Sequence, residues 1–118
     1  MTYPNHFFSH QPVLYQETLA WIRPHAGGVY VDCTVGAGGH AWGILANSSP
    51  DGLLLGLDLD PVAINLSTKH LEEYKDRVRL IHASYQTIAK QLTGLGWEKA
   101  DGILMDLGVS SMQLDTPE

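Results

Sequence analysis

The sequence predicts an α/β domain organised around one parallel sheet. Four short apolar runs have the length and composition of buried strands, the segments between them show helical spacing of apolar residues, and glycine, proline or aspartate marks each junction. Strands that alternate with helices form parallel sheets with right-handed crossovers and helices on both faces. At 118 residues the chain has the length of one domain with a sizeable core.

Three elements are predicted in the first part of the chain. A helix is expected from Pro12 to about Arg23, because proline suits the first helical position and an apolar stripe follows it. A strand is predicted over residues 29–33, which are mostly β-branched or aromatic. The next helix is expected over residues 40 to about 47, directly after a glycine-rich segment.

The remainder of the chain continues the alternation. A continuous apolar run predicts a strand over residues 53–57, and Asp60 is expected to cap a helix that begins at Pro61 and extends to about Tyr74. A strand, a helix and a fourth strand follow over residues 78–82, about 86–93 and 102–105. The fourth strand is expected to end the sheet and to leave an exposed apolar edge.

The charge of the chain argues against a broad surface for nucleic acid. The formal net charge is −6 with histidine neutral, which opposes contact with a phosphate backbone over a large area. Four cations fall near one another, and a solvated helix end explains them as well as a local RNA contact does: Lys69, Lys75, Arg77 and Arg79.

Other features of the composition bound the compartment and the chemistry. No apolar run is long enough to span a membrane, and the N-terminus lacks the basic start and apolar core of a signal peptide. Cys33 is the single cysteine and is expected to be a buried thiol in a reducing compartment, the cytoplasm. The six histidines show no ligand spacing with acids or with Cys33, so no metal is predicted.

A glycine-rich turn between a strand and a helix predicts a small-ligand site. Gly36, Gly38 and Gly39 follow the strand at residues 29–33. Glycine adopts positive φ and lets a ligand approach the backbone, and the following helix directs its N-terminal N–H groups and positive dipole end at that ligand. A glycine-rich turn without a ligand is the alternative, because this motif alone has low specificity.

Acidic and aromatic residues follow the predicted strands. Asp32, Asp58 and Asp106 stand at three strand ends, and Tyr85 follows the remaining strand. Carboxyl ends of parallel strands share one edge of the sheet, where ligands of such folds bind. Crowded carboxylates cost desolvation and repulsion, so their presence at this edge favours a functional site over a structural one.

Two of these residues predict a nucleoside. Asp58 lies about 20 residues beyond Gly38, where the acidic residue of nucleoside-binding folds accepts hydrogen bonds from ribose hydroxyls. The alternative places Asp58 in the turn before the next helix, although Asp60 already fills the cap position there. Tyr85 is expected either to lie against a purine ring or to be a core aromatic at a helix start.

The glycine segment fits two kinds of cofactor. Residues 36–41 can be aligned with the dinucleotide fingerprint, which indicates a nicotinamide-dependent oxidoreductase. Asp32, however, would lie unfavourably close to a pyrophosphate, and both Asp32 and Asp106 suit a ligand that carries an ammonium group. S-adenosylmethionine combines an adenosine, an ammonium and a sulfonium, and its carboxylate would bind the amides of the glycine segment.

Four sequence blocks together resemble one family. Residues 10–17, 32–40, 56–64 and 101–115 contain HQPVL with a following glutamate, DCTVGAGGH, GLDLDPVAI and DGILMDLGVSSMQLD. They are similar, in order and spacing, to the bacterial 16S ribosomal RNA cytosine-N4 methyltransferases, the MraW or RsmH family. The resemblance implies a class I, Rossmann-like fold that depends on S-adenosylmethionine.

The resemblance also implies residues for the site. By match to the family's motifs the cofactor contacts would be Gly38, Gly39, His40, Asp58, Tyr85, Asp106 and Gln113. Gln113 follows from the resemblance alone. Met112 stands where proline is usual in the family, and Tyr85 replaces a common phenylalanine, which keeps the aromatic ring.

The implied reaction transfers a methyl group to the exocyclic amine of a cytosine in the decoding region of the small ribosomal subunit. Asp106 is the candidate catalytic residue, as an acceptor for an N–H of that amine, and Ser110 and Ser111 are nearby alternatives. Its partner would be 16S rRNA or the small subunit, with no membrane involved. The oligomeric state stays open.

The family continues beyond the segment present here. Residues 1–118 are therefore expected to be the N-terminal, cofactor-binding part of a methyltransferase domain, cut after the fourth strand and without the helical substrate region and the later strands. Two other functions stay open: the nicotinamide-dependent oxidoreductase, and a fragment that binds cofactor without catalysis.

Overall fold

The computed structural model describes residues 15–105 in full, and the backbone of residues 108–110 and 114–115. The helices are α1 (Tyr15–Ile22), α2 (Gly39–Asn47), α3 (Pro61–His70) and α4 (Ile88–Leu95). The strands are β1 (Val29–Asp32), β2 (Leu53–Asp58), β3 (Val78–His82), β4 (Lys99–Ala100), β5 (Gly102–Met105), β6 (Gly108–Ser110) and β7 (Leu114–Asp115). Short 3₁₀ turns span Glu72–Tyr74 and Tyr85–Thr87.

A five-stranded sheet in the order β3-β2-β1-β5-β6 forms the centre of the fold. β1 pairs in parallel with β2 and β5, and β2 pairs in parallel with β3, so Val31 lies opposite both Leu55 and Ile103. The parallel α/β architecture predicted from the sequence is confirmed. The carboxyl ends of β1, β2, β3 and β5 therefore meet at one edge of the sheet.

Apolar clusters cover both faces of the sheet. Tyr30 of β1 packs with residues of α1 and α2, whereas the next residue, Val31, packs in a second cluster with residues of α4. Successive side chains of a strand point to opposite faces, which explains why the central strand is buried on both sides. Cys33 is buried in the second cluster, as expected, and burial raises the pKa of its thiol to about 11.

Local sequence signals set most element ends. Asp60 caps α3 as predicted, with its Oδ1 accepting a hydrogen bond from the Val62 N–H at 2.9 Å. α3 ends at His70 rather than near Tyr74, which lies in a 3₁₀ turn. Gly96 ends α4 in a left-handed conformation with φ 76°. In the described residues, no helix has the length and apolar character needed to cross a membrane.

The fourth predicted strand, β5, is not the exposed edge of the sheet that was expected. β5 has a further neighbour, β6, which pairs with it in antiparallel register so that Leu104 lies opposite Val109. A second antiparallel pair joins β4 to β7. Strands of two or three residues have too few positions to show an alternating pattern, so they could not be predicted from the sequence.

One member of the cationic group is used inside the fold. Arg77 donates from Nη1 to the Gly52 carbonyl at 2.9 Å and from Nη2 to the Leu45 carbonyl at 2.8 Å. Its guanidinium also lies 5.0 Å from the centre of the Tyr74 ring. These contacts fasten the turn after α2, so this cation serves the structure rather than an RNA surface.

Candidate functional site

Two loops at the carboxyl edge of the sheet form the candidate site. The glycine loop, residues 33–38, joins β1 to α2, and the β2 loop, residues 59–60, joins β2 to α3. The Asp58 carboxylate holds both: its Oδ2 accepts from the Gly36 N–H at 3.0 Å, and its Oδ1 accepts from the Asp60 N–H at 2.9 Å. One side chain therefore fixes the spacing of the two loops.

The glycine loop has a backbone that needs glycine. Gly36 has φ 56° and Gly38 has φ 95°, both in the left-handed region that other residues rarely adopt. Gly38 is the N-cap of α2 and has no side chain to cap it. The first N–H groups of a helix have no acceptor within the helix, so this terminus offers donors and a positive dipole end to an anion.

A buried carboxylate, that of Asp32, lies at the base of the glycine loop. Asp32 is only 1% exposed, and its Oδ1 accepts from the Thr34 N–H at 3.2 Å. Among the residues that the structure describes, no donor reaches its Oδ2. Burial raises the pKa of this carboxyl to about 7, the Thr34 hydrogen bond opposes that shift, and the charge of Asp58 adds to it.

The other predicted site residues differ in how deeply they are buried. Gly38 and Gly39 are buried at the start of α2. His40 is half-buried there, and its ring is stacked on that of Tyr15, with centroids 6.2 Å apart. Tyr85 begins the turn after β3 and is 51% exposed, so it is not a core aromatic.

The two remaining predicted residues, Asp106 and Gln113, lie outside the residues whose side chains the structure describes.

The structure brings the glycine loop and Asp58 into direct contact. Tyr85 lies just beyond the end of the adjoining strand, where the Ala83 N–H donates to the Asp58 carbonyl at 3.1 Å. The turn role considered for Asp58 is confirmed by its bond to Asp60. Each carboxylate oxygen keeps a second lone pair for a hydroxyl group.

Two histidines that were not predicted from the sequence contact the site. The ring Nδ1 of His70 lies 2.7 Å from the Ala37 carbonyl oxygen in the glycine loop. The ring Nε2 of His82 lies 2.9 Å from the Leu59 carbonyl oxygen in the β2 loop. Both contacts join residues more than 20 positions apart, so no local spacing could have revealed them. In the described part of the chain, no group of three His, Cys, Asp or Glu residues could hold a metal ion.

The strand order, the glycine loop after β1 and the acidic end of β2 are those of a Rossmann-like fold, and comparison with solved structures assigns the chain to the methyltransferases with this fold. A Clostridium thermocellum protein assigned as an rRNA methylase superimposes with a TM-score of 0.59 at 27% identity, over 70% of this chain and 46% of that chain. Solved methyltransferases at 14 and 15% identity share the same fold.

The chain belongs to the MraW methylase family, whose model matches residues 7–118. The ribosomal RNA small subunit methyltransferase H of Lawsonia intracellularis is 46% identical over 92% of this chain. That of Symbiobacterium thermophilum is 49% identical over 94% of it. Both matches cover 35% of the relative, so the chain spans about a third of the length of these curated relatives. The family resemblance predicted from the four sequence blocks is confirmed.

The buried Asp32 predicts a pH dependence of stability. The folded chain keeps a proton on this carboxyl up to a pH of about 7, whereas the unfolded chain loses it near 3.8. Between these values the folded state binds more protons, so stability declines as pH rises. From pH 5 to pH 8 the free energy of unfolding of the wild type should fall by roughly 2 to 3 kcal/mol more than that of Asp32→Asn.

Urea unfolding at several pH values, followed by circular dichroism, measures this difference. Asp32→Asn is the matched control, because its side chain has nearly the shape of the protonated acid and does not titrate. Parallel pH profiles for the two proteins would show that Asp32 ionises normally in the folded chain.

Proposed function

We propose that the chain binds S-adenosylmethionine at the edge formed by the glycine loop and the β2 loop, as part of a methyltransferase that acts on small-subunit ribosomal RNA. The observation that carries the proposal concerns Asp32, which lies beside the loop that Asp58 holds. Its Oδ2 is buried and, among the described residues, has no hydrogen-bond partner. A buried carboxylate without a donor is costly, and a cationic ligand group would relieve that cost.

Each part of the cofactor has a suitable group in the chain. Asp32 would accept from the ammonium group, and the amides at residues 39–40, at the start of α2, would receive the carboxylate. Asp58 would accept from ribose hydroxyls through its remaining lone pairs. Tyr85 would lie against the adenine, because its exposed ring stands on the next strand end. The family resemblance adds Asp106 and Gln113.

The bound cofactor would supply an activated methyl group from its sulfonium. The finer proposal is that the acceptor is the N4 amine of a cytosine in the decoding region of 16S rRNA. That amine is a weak nucleophile because its lone pair is delocalised into the ring, so an acceptor for its N–H at Asp106, or at Ser110 or Ser111, would help. The target base must leave its stack to reach the edge of the sheet.

Contacts with the rest of the RNA would be made by a protein surface larger than this chain provides. The net charge of −6 gives this chain little attraction for a phosphate backbone, so a larger protein surface would hold the subunit. A substrate of this kind places the proposed reaction in the cytoplasm. Because the chain spans about a third of its relatives' length, a second candidate function is cofactor binding without turnover by this chain alone.

Two ligands separate the roles proposed for the two aspartates. S-adenosylhomocysteine carries the amino-acid end, and methylthioadenosine lacks it. Asp32→Asn should weaken S-adenosylhomocysteine about tenfold or more and leave methylthioadenosine nearly unchanged, because a charged hydrogen bond contributes about 1.5–3 kcal/mol. Asp58→Asn should weaken both ligands, since both contain the ribose.

Isothermal titration calorimetry of the wild type and the two variants measures these affinities. NADH serves as a third ligand. Equal losses of both adenosine ligands in Asp32→Asn would remove Asp32 from the ammonium site, and binding of NADH alone would replace the proposal with the oxidoreductase.

Methyl transfer is tested on small subunits that lack the modification. With radiolabelled S-adenosylmethionine, a full-length relative should label 16S rRNA, and digestion should place the label on a cytosine N4. We expect this chain alone to show cofactor binding with at most weak transfer, because it is about a third of the relatives' length. Label on a base other than cytosine, or on protein only, would contradict the substrate proposed here.

A further inference from the structure

The last turn of α3 and its C-cap residue contact the glycine loop. We call Ser67, His70 and Leu71 the α3 clamp. The His70 ring reaches the Ala37 carbonyl oxygen at 2.7 Å. At the next residue, Gly38, an added Cβ would lie 3.4 Å from side-chain atoms of both Ser67 and Leu71. The loop backbone at positions 37 and 38 therefore rests against the α3 clamp.

The α3 clamp is itself firmly held. Ser67 is fully buried, and its hydroxyl donates to the Ala63 carbonyl at 2.9 Å. Leu71 is 1% exposed, packs in the first apolar cluster, and donates its backbone N–H to the Ser67 carbonyl at 2.9 Å. A ligand-binding loop is positioned best by rigid elements of secondary structure, and the α3 clamp meets that condition.

The chemistry of the contact fixes the histidine's role. A carbonyl oxygen only accepts hydrogen bonds, so Nδ1 of His70 must carry the proton and donate it to Ala37. The N–H of the same peptide unit, that of Gly38, donates to the Val35 carbonyl at 2.9 Å. Both polar groups of the 37–38 peptide are thus engaged, and its plane sets the direction in which α2 starts.

We propose that His70 is a positioning residue, which holds the 37–38 peptide so that the amides at the start of α2 are aimed at the carboxylate of the cofactor. The role of the contact in holding the loop stands on the ligand-free geometry. The consequence for the cofactor rests on the function proposed above. His70 is not a catalytic residue, because its ring acts through the loop backbone.

Three variants test the proposal. His70→Ala removes the donor, and His70→Asn restores an amide N–H close to the position of Nδ1. Thr68→Ala is the matched control on the same helix, because its hydroxyl donates to the Ile64 carbonyl, inside α3, at 2.7 Å. Thermal unfolding of each variant confirms that it is folded before the measurements.

Two readouts are compared in all four proteins. Hydrogen–deuterium exchange of the peptide covering residues 33–42, without ligand, reports on the loop. We expect His70→Ala to speed that exchange about fivefold and to weaken S-adenosylhomocysteine about fivefold, the effect of one hydrogen bond. His70→Asn should restore both values to within about twofold of the wild type, and Thr68→Ala should change neither.

The outcomes distinguish this proposal from the proposed function. Unchanged exchange in His70→Ala would overturn the holding role. Faster exchange with unchanged affinity would overturn the positioning role. If the wild type does not bind S-adenosylhomocysteine, the proposed function fails, and with it the positioning of that cofactor, while the exchange data still decide whether His70 holds the loop.

Discussion

The Asp58 carboxylate is the interaction on which the site depends. Its two oxygens accept from the Gly36 and Asp60 N–H groups, at 3.0 and 2.9 Å, and so join the loops after β1 and β2. The glycine loop reaches Asp58 because it folds back over β2, where the Val35 N–H donates to the Leu57 carbonyl at 2.9 Å. Gly56 leaves room for this packing, because a Cβ there would lie 2.7 Å from the Leu80 side chain and 3.2 Å from that of Val35.

The two carboxylates at this edge oppose each other electrostatically. Asp58 has donors for both oxygens, whereas the buried Asp32 has a donor for only one among the described residues. Burial raises the pKa of the Asp32 carboxyl to about 7 and the charge of Asp58 adds to that shift, so below this pH Asp32 is protonated and the repulsion is limited. A cationic ligand would let Asp32 ionise, so ligand binding and proton release are coupled in this account. The fold thus holds a buried, neutral carboxylic acid that a cationic ligand would ionise.

Much of the fold could be predicted from the sequence because its signals are local. The apolar runs located β1, β2, β3 and β5 to within one residue, and Asp60 and Gly96 act at helix ends as their residue types predict. The sheet edge could not be predicted, because β6 is short and pairs through its backbone. The contacts of His70 and His82 were missed for a related reason: each joins a side chain to a distant carbonyl, which leaves no pattern in the sequence.

The candidate site was predictable in its types of residue and not in its connections. The glycines and Asp58 could be selected from spacing, but the hydrogen bond between Gly36 and Asp58 depends on how β1 and β2 are aligned. Whether the Oδ2 of Asp32 has a hydrogen-bond partner depends on the position of every donor around it, which only the packed structure defines.

The central claim is that the loops joined by Asp58 bind the amino-acid and ribose parts of S-adenosylmethionine. Nuclear magnetic resonance of the ¹⁵N-labelled chain, titrated with S-adenosylhomocysteine, tests it most directly. The largest shifts should fall on the amides of Gly36, Gly39 and Asp60, and NADH should leave them unchanged. Shifts confined to residues away from both loops, or produced by NADH alone, would contradict it.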